Sequence, residues 1–340
     1  MTRKEFLRAS AAAMVAGAVA PSTEAGTAGK AGKPFKVCVF ADIHYCPYEF
    51  PNDSPAFLEA IQARAEAARC DMVIHLGDMV HNVSNKMARD YIRRYNEFKI
   101  PSYNILGNHD QDNTHWQETV EAFRMPKNYY SFDKGGYRFV CMDPNYFCEK
   151  EGEFIHYELH NYFRKGITHA WIPPDQMEWL KDTIEKSPYP CIVLSHQSFE
   201  RWGGVQNRDE VRKVFTDANA RHPGRVRLVM NGHYHVDYLR ILDGIPYWDV
   251  NSANYQWYGE THAAYPEEYF RSHVEAKHCL AWDKPLSAIL TLHPDGRTEI
   301  EGSEAGWLYG VTPEKAKMWK VDDNKRLVLP RMQSAEFKIG

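Results

Sequence analysis

The chain has 340 residues, 44% of them hydrophobic and 13% aromatic, enough to bury a full core as one large domain or two modest ones. A formal charge of -4 supplies no global basic field, which argues against DNA or RNA as a bulk partner; a small anionic substrate needs a local positive centre instead. Seven cysteines without a C-x-x-C spacing argue against a disulfide framework and a thiolate zinc site, and Cys38, Cys141 and Cys191, set in apolar runs, read as small buried side chains.

The first 33 residues differ from the rest. A basic stretch, "MTRKEFLR", precedes a small apolar run, "ASAAAMVAGAVA", and then "PSTEAGTAGKAGKP", a Gly/Ala/Thr/Pro linker. That order predicts a signal peptide, cleaved after Ala18-Val19-Ala20 or Ala16-Gly17-Ala18, and hence an exported, periplasmic or extracellular protein. Thr2 to Arg8 is similar to a twin-arginine export signal with Lys4 in the place of the second arginine, so the Tat and Sec routes both stay open. The apolar run is too short for a lasting membrane span.

From residue 34 strands and helices alternate. "FKVCVFADIH" reads as a strand ending in polar residues, and Ser54-Pro55 then opens the helix "AFLEAIQARAEAAR" with Ser54 as N-cap. "DMVIHLGD", the helical stretch "KMARDYIRRYNEF" and "PSYNILGNHD" continue the alternation, which predicts a parallel sheet covered on both faces. "YYSFDKGGYRFVCMD" reads as an antiparallel hairpin about a Gly-Gly turn. "PPDQMEWLKDTIEKS", "YPCIVLSH", "RDEVRKVFTDANA" and "RVRLVMNGHYH" read as helix, strand, helix and strand, and two further hairpins turn at Asp243-Gly244 and Asp295-Gly296. The expected fold is α/β, a four-layer α/β/β/α sandwich with two mixed β-sheets: one domain over 34–300 and a C-terminal tail over 301–340. Two His- and aromatic-rich segments without clean periodicity, 144–173 and 255–283, read as insertions serving as lids or interface surfaces.

Unusual polar chemistry falls at the carboxyl ends of the core strands. Asp42 and His44 follow the first, Asp78 the second, Asn108, His109 and Asp110 the third, His196 the next, and His233 and His235 the last. Loops at the carboxyl ends of parallel strands converge on one crevice. Carboxylates, imidazoles and an amide oxygen suit borderline divalent ions such as Mn, Fe, Zn or Ni, and so many of them are too many for one ion but accommodate a pair. The competing reading is a structural polar network, which is costly because it buries many imidazoles and carboxylates without a counter-charge.

In "DIH" (42–44), "GD" (77–78), "GNHD" (107–110), "SH" (195–196) and "GHYH" (232–235), each behind an apolar strand, the chain resembles the calcineurin-like metallophosphoesterases. The resemblance implies that Asp42, His44 and His235 bind one ion, that Asn108, His196 and His233 bind the other, and that Asp78 bridges the two. It also implies that His109 faces the substrate and protonates the leaving alkoxide, with Asp110 or a backbone carbonyl fixing its tautomer. A hydroxide bridging the ions is then expected to attack phosphorus in line with the leaving group, without a covalent enzyme intermediate. Purple acid phosphatases carry a tyrosine after their second motif; "GDMVH" has His81 there, and the likeness is closer to the phosphodiesterase branch.

The expected function is an exported, dimetal-dependent phosphoric ester hydrolase acting on a small phosphate ester, a phosphodiester before others. A phosphomonoesterase, a pyrophosphate-bond hydrolase, a nuclease and, in another class, a non-catalytic metal-binding scaffold are the alternatives. His81, His115, Asn254 and Tyr255 are candidate substrate contacts, Trp257 either lines the pocket or packs the second sheet, and His75 reads as a core histidine.

Overall fold

The computed structural model describes residues 32–51, 55–150, 152–257, 265–316 and 328–338. The expected leader lies outside them as far as residue 31, as does the expected N-cap Ser54. From Lys33 onward the chain forms one compact unit.

Two six-stranded mixed sheets carry this unit. In the first, β1 (Phe35–Phe40), β2 (Met72–His75) and β3 (Ser102–Asn104) run parallel. The second begins with the expected hairpin, β4 (Tyr130–Lys134) antiparallel to β5 (Tyr137–Cys141), and continues in parallel through β6 (Cys191–Ser195) and β7 (Val226–Asn231). There β8 (Tyr238–Leu242) turns at Asp243-Gly244 onto β9 (Ile245–Asp249), which runs parallel to β7. The first sheet is completed by β10 (Ala288–Leu292), β11 (Arg297–Glu301) and β12 (Ala335–Lys338), each antiparallel to its neighbour.

The alternation of side chains along β1 shows why both sheet faces are covered. Phe35, Val37 and Val39 join Ile74, Phe139, Ile192, Leu194, Leu228 and Met230 between the sheets, while Cys38 and Phe40 point the other way. On that outer face lie α1 (Ala56–Ala67) and α2 (Lys86–Asn96), which bring Leu58, Ile61, Tyr91 and Tyr95. The second sheet is covered by α3 (Pro174–Glu185) and α4 (Arg208–Arg221) through Leu180, Ile184, Val211 and Phe215. Each such side chain, fully buried, contributes about 1.5–3 kcal/mol over its exposed state. The four layers are those expected. Asn85 caps α2 by accepting the Met87 N–H at 2.7 Å, and Pro174 starts α3 where a missing N–H costs nothing.

The structure differs from the sequence reading in three places. Residues 144–173 contain a three-stranded sheet of Tyr146–Lys150, Glu153–His156 and Thr168–His169, so they are not plain loop. Tyr255–Trp257 likewise pairs with Cys279–Ala281. The expected tail supplies β12, an edge strand of four residues, too short for its period to stand out in the sequence. Among the described residues no helix is long and apolar enough to cross a membrane.

His75, at the end of β2, is a core histidine as expected: fully buried, ringed by Phe40 and Tyr95, with neither nitrogen in a hydrogen bond of normal geometry. Desolvation, aided by nearby His196, lowers its pKa to about 3. An unfolded histidine takes up its proton near pH 6.5, so stability is lost as pH falls through that value toward 3. His75→Leu is expected to flatten the fall in urea midpoint between pH 7 and 5; parallel curves for the two proteins would exclude this assignment.

Candidate functional site

The strand-end loops of the two sheets meet at one edge. The His233 N–H donates to both Asp42 carboxylate oxygens at 3.0 and 2.9 Å, and His196 Nδ1 donates across the sheets to the Leu76 carbonyl at 2.7 Å. Five of the candidate ligands hold left-handed backbone: Asp42 (φ 52°), His44 (49°), Asp78 (58°), His233 (73°) and His235 (52°). Each such residue costs about 1 kcal/mol or more, a strain that concentrates where side chains are forced to converge. The glycines of two motifs are dictated by contact. A Cβ on Gly107 would lie 2.1 Å from the Asp78 nitrogen, and one on Gly232 2.5 Å from Asp42 Oδ2.

Three groups of potential ligand atoms result: Asp42, His44 and His235, then Asp78, His196 and His233, and beside them His81, His109 and Asp112. In the first, His44 Nε2 lies 3.0 Å from His235 Nε2, and His235 Nε2 lies 3.3 Å from Asp42 Oδ1. In the second, His196 Nε2 lies 3.0 Å from Asp78 Oδ2 and 3.3 Å from His233 Nδ1. Asp78 Oδ2 is also 3.7 Å from His44 Nε2, which sets this carboxylate between the groups.

The proton positions show what the groups suit. His235 Nδ1 donates to the Tyr255 carbonyl at 2.5 Å, and His44 Nδ1 sits 2.9 Å from His81 Nε2. Because its Nδ1 donates to a carbonyl, neutral His235 presents an Nε2 lone pair toward His44 Nε2 at 3.0 Å, where a cation can be held between the two rings. Burial holds His44 and His233 well below the ordinary histidine value, hence neutral, the form that binds metals. Burial also opposes charge on His196, yet Asp78 raises it to about 9, so a proton occupies the place a cation would take. Asn108, 6% exposed, has an Oδ1 with no hydrogen-bond partner. An orphaned amide oxygen, neutral imidazoles and two carboxylates fit a pair of divalent ions.

His109 follows Asn108 and enters a 3₁₀ turn, His109–Gln111. Its N–H donates to Asp78 Oδ1 at 2.8 Å, and its Nδ1 meets Asp112 Oδ2 at 2.7 Å. Burial alone would lower its pKa; the carboxylates of Asp78 and Asp112 raise it to about 9 instead. Here the sequence reading is corrected. Asp110 does not touch the imidazole: its carboxylate accepts the backbone N–H groups of Asp78, Met79, Val80 and Gly107 at 2.8–3.0 Å and pins two motif loops together. Asp112 orients His109. Residues i and i+3 eclipse in a 3₁₀ turn, which brings Asp112 under the ring. Tyr162 donates to the other Asp112 oxygen, and His81 and His160 flank the carboxylate at 3.7 and 3.6 Å.

Of the expected substrate contacts, His81 lies at the site and lines its mouth. His115 is apart from it, half-exposed and paired with Glu158 at 3.0 Å. Asn254 is fully buried and donates to the Ile43 and Pro51 carbonyls, and Tyr255, equally buried, stacks on His44 at 5.3 Å. Both support the site from behind. Trp257 follows on the open side, its ring stacked 6.0 Å from that of His109.

Histidine, aspartate and asparagine gathered at the carboxyl ends of strands from two stacked sheets form a site suited to divalent metal ions. Residues 35–237 match the family model described as calcineurin-like phosphoesterase, and the chain belongs to that family. A probable cyclic nucleotide phosphodiesterase of a Psychrobacter species is 22% identical over 212 residues, which span 58% of this chain and 56% of the relative. A dimetal phosphatase from Danio rerio shares the fold at 14% identity and a TM-score of 0.54, covering 79% of this chain and 96% of that one. So does the inner-membrane-complex anchor GAP50 of Plasmodium, at 12% identity and 0.50, covering 92% and 90%.

Proposed function

We propose that the protein is an exported phosphodiesterase that uses two divalent ions, drawn from Mn, Fe, Zn and Ni. The observation that carries the two-ion part is the placement of Asp78 Oδ2 between the His44 and His196 groups, with Asn108, whose Oδ1 is unpartnered, lining one cavity with His233. Asp42, His44 and His235 would hold one ion, and Asn108, His196 and His233 the other, with Asp78 shared. Bound there, the ions would neutralise phosphoryl charge and lower the pKa of attacking water. His109 donates a proton to the leaving oxygen, and Asp112 fixes its ring so that Nε2 faces the substrate. The phosphodiester preference is supported by the Psychrobacter relative, and export by the order of regions in residues 1–33.

The test is hydrolysis of bis(4-nitrophenyl) phosphate by purified, manganese-loaded protein. Chelation is expected to abolish turnover and added metal to restore it; full activity in metal-stripped protein would overturn the proposal. The two histidines of "GHYH" are expected to differ. Metal analysis of His235→Ala and His233→Ala should each show loss of one ion of the pair, from different groups. With mixed metals loaded, the retained element should therefore differ, and loss of both ions in each variant would contradict separate sites.

A further inference from the structure

A cavity of about 380 Å³ opens beside His109, away from the Asn108 and His233 side. Its walls combine two features. Phe50 and Trp257 meet edge to face, centroids 5.1 Å apart and planes at 81°, forming an aromatic corner. Glu49 and Glu275 line the same space, their chains joined by the Glu275 N–H donating to the Glu49 carbonyl at 2.9 Å; Glu275 also meets His278 at 3.4 Å. Among the described residues the lining contains no lysine or arginine. A second cavity, about 220 Å³, lies on the Asn108 and His233 side and is walled by tyrosines and glutamines. His109 thus stands at the first chamber, and Asn108 and His233 at the second.

We propose that the first cavity receives the leaving alcohol and selects one that bears an organic cation, an ammonium or quaternary ammonium group. The proposal rests on the phosphoesterase reading above and names its substrate class. Aromatic faces attract cations through their quadrupole, and carboxylates at the same wall add charge complementarity. A leaving group carrying a second phosphate would meet Glu49 and Glu275, while the His109 imidazole in the same lining already has Asp112 as its counter-charge at 2.7 Å. In the reaction the oxygen of water forms the new P–O bond and the ester P–O bond breaks. The leaving alkoxide takes its proton from His109, and the proton released by water returns the imidazole to its starting state through solvent.

The cavity is tested without turnover by ligand-observed NMR titration of the purified protein with choline and with 3,3-dimethylbutan-1-ol, its uncharged carbon analogue. Choline is expected to bind about tenfold or more tightly than the analogue, a margin set by cation–π and carboxylate contacts. The double variant Glu49→Gln/Glu275→Gln, at exposed and half-buried positions, should erase that margin, and Trp257→Leu should weaken choline binding. Equal affinity, no detectable binding of either probe, or a margin unchanged in the double variant overturns the proposal. Choline release from glycerophosphocholine, set against release from phosphatidylcholine vesicles, tells a soluble ester from a lipid headgroup, and release from neither counts against the proposal. Turnover of bis(4-nitrophenyl) phosphate separates the two readings. If it is cleaved while choline shows no preference, the cavity assignment fails alone; if choline is preferred and no diester is cleaved, the catalytic reading fails alone.

Discussion

Asp78→Asn is expected to lower kcat on a phosphodiester by about 10³-fold or more, because losing a shared metal ligand removes several kcal/mol of transition-state stabilisation at 1.36 kcal/mol per decade. The substitution is a mild one for the fold. Asparagine accepts the left-handed backbone at φ 58° and keeps an Oδ1 for the His109 N–H. What disappears is the charge at Oδ2, the atom that faces His196 at 3.0 Å and His44 at 3.7 Å. That charge also fixes the proton state of the neighbourhood, since it raises His196 against the opposing effect of burial. The variant should therefore fold, bind less than the full complement of metal and turn over poorly. Circular dichroism, metal analysis and steady-state kinetics check the three parts. A kcat within tenfold of the parent at unchanged metal content would remove Asp78 from the centre of the site.

His109→Asn should act on a different step and betray itself by leaving-group dependence. A general acid contributes about 10²–10⁴-fold when the departing oxygen needs a proton, so an alkyl phosphodiester should lose that much. 4-Nitrophenolate departs without protonation, so the aryl ester should lose far less. Asp112→Asn should reproduce the pattern at smaller size, about 10–100-fold, as expected for a residue that only orients another. Metal content should be intact in both variants, because neither side chain belongs to the two ligand groups built around Asp42 and Asp78. Equal losses on alkyl and aryl esters would mean that His109 binds the phosphoryl group rather than protonating the alcohol.

The contrast between Asp110 and Asp112 shows where legibility stopped. Both carboxylates stand in "GNHDQDN", and spacing from an apolar strand does not tell which turns toward the imidazole. The 3₁₀ turn decides it by carrying Asp112 under His109 and pointing Asp110 at four backbone N–H groups. Asn254 and Tyr255 were misplaced for a similar reason. They follow a strand end, as the ligand-bearing motifs do, but the chain there passes beneath His44 and His235.

The sequence by itself determined the layers and the candidate ligands. Continuous apolar runs such as "FKVCVF" specify strands buried on both faces, and polar motifs at their carboxyl ends must share a crevice. Tertiary structure alone decided the partners of those motifs. Asp42 meets the His233 backbone across 191 residues, Asp78 stands between two imidazole groups, and Phe50 meets Trp257 from a distant strand. Local pattern reports which way a side chain leaves its strand; it holds no record of what the packing of two sheets brings opposite.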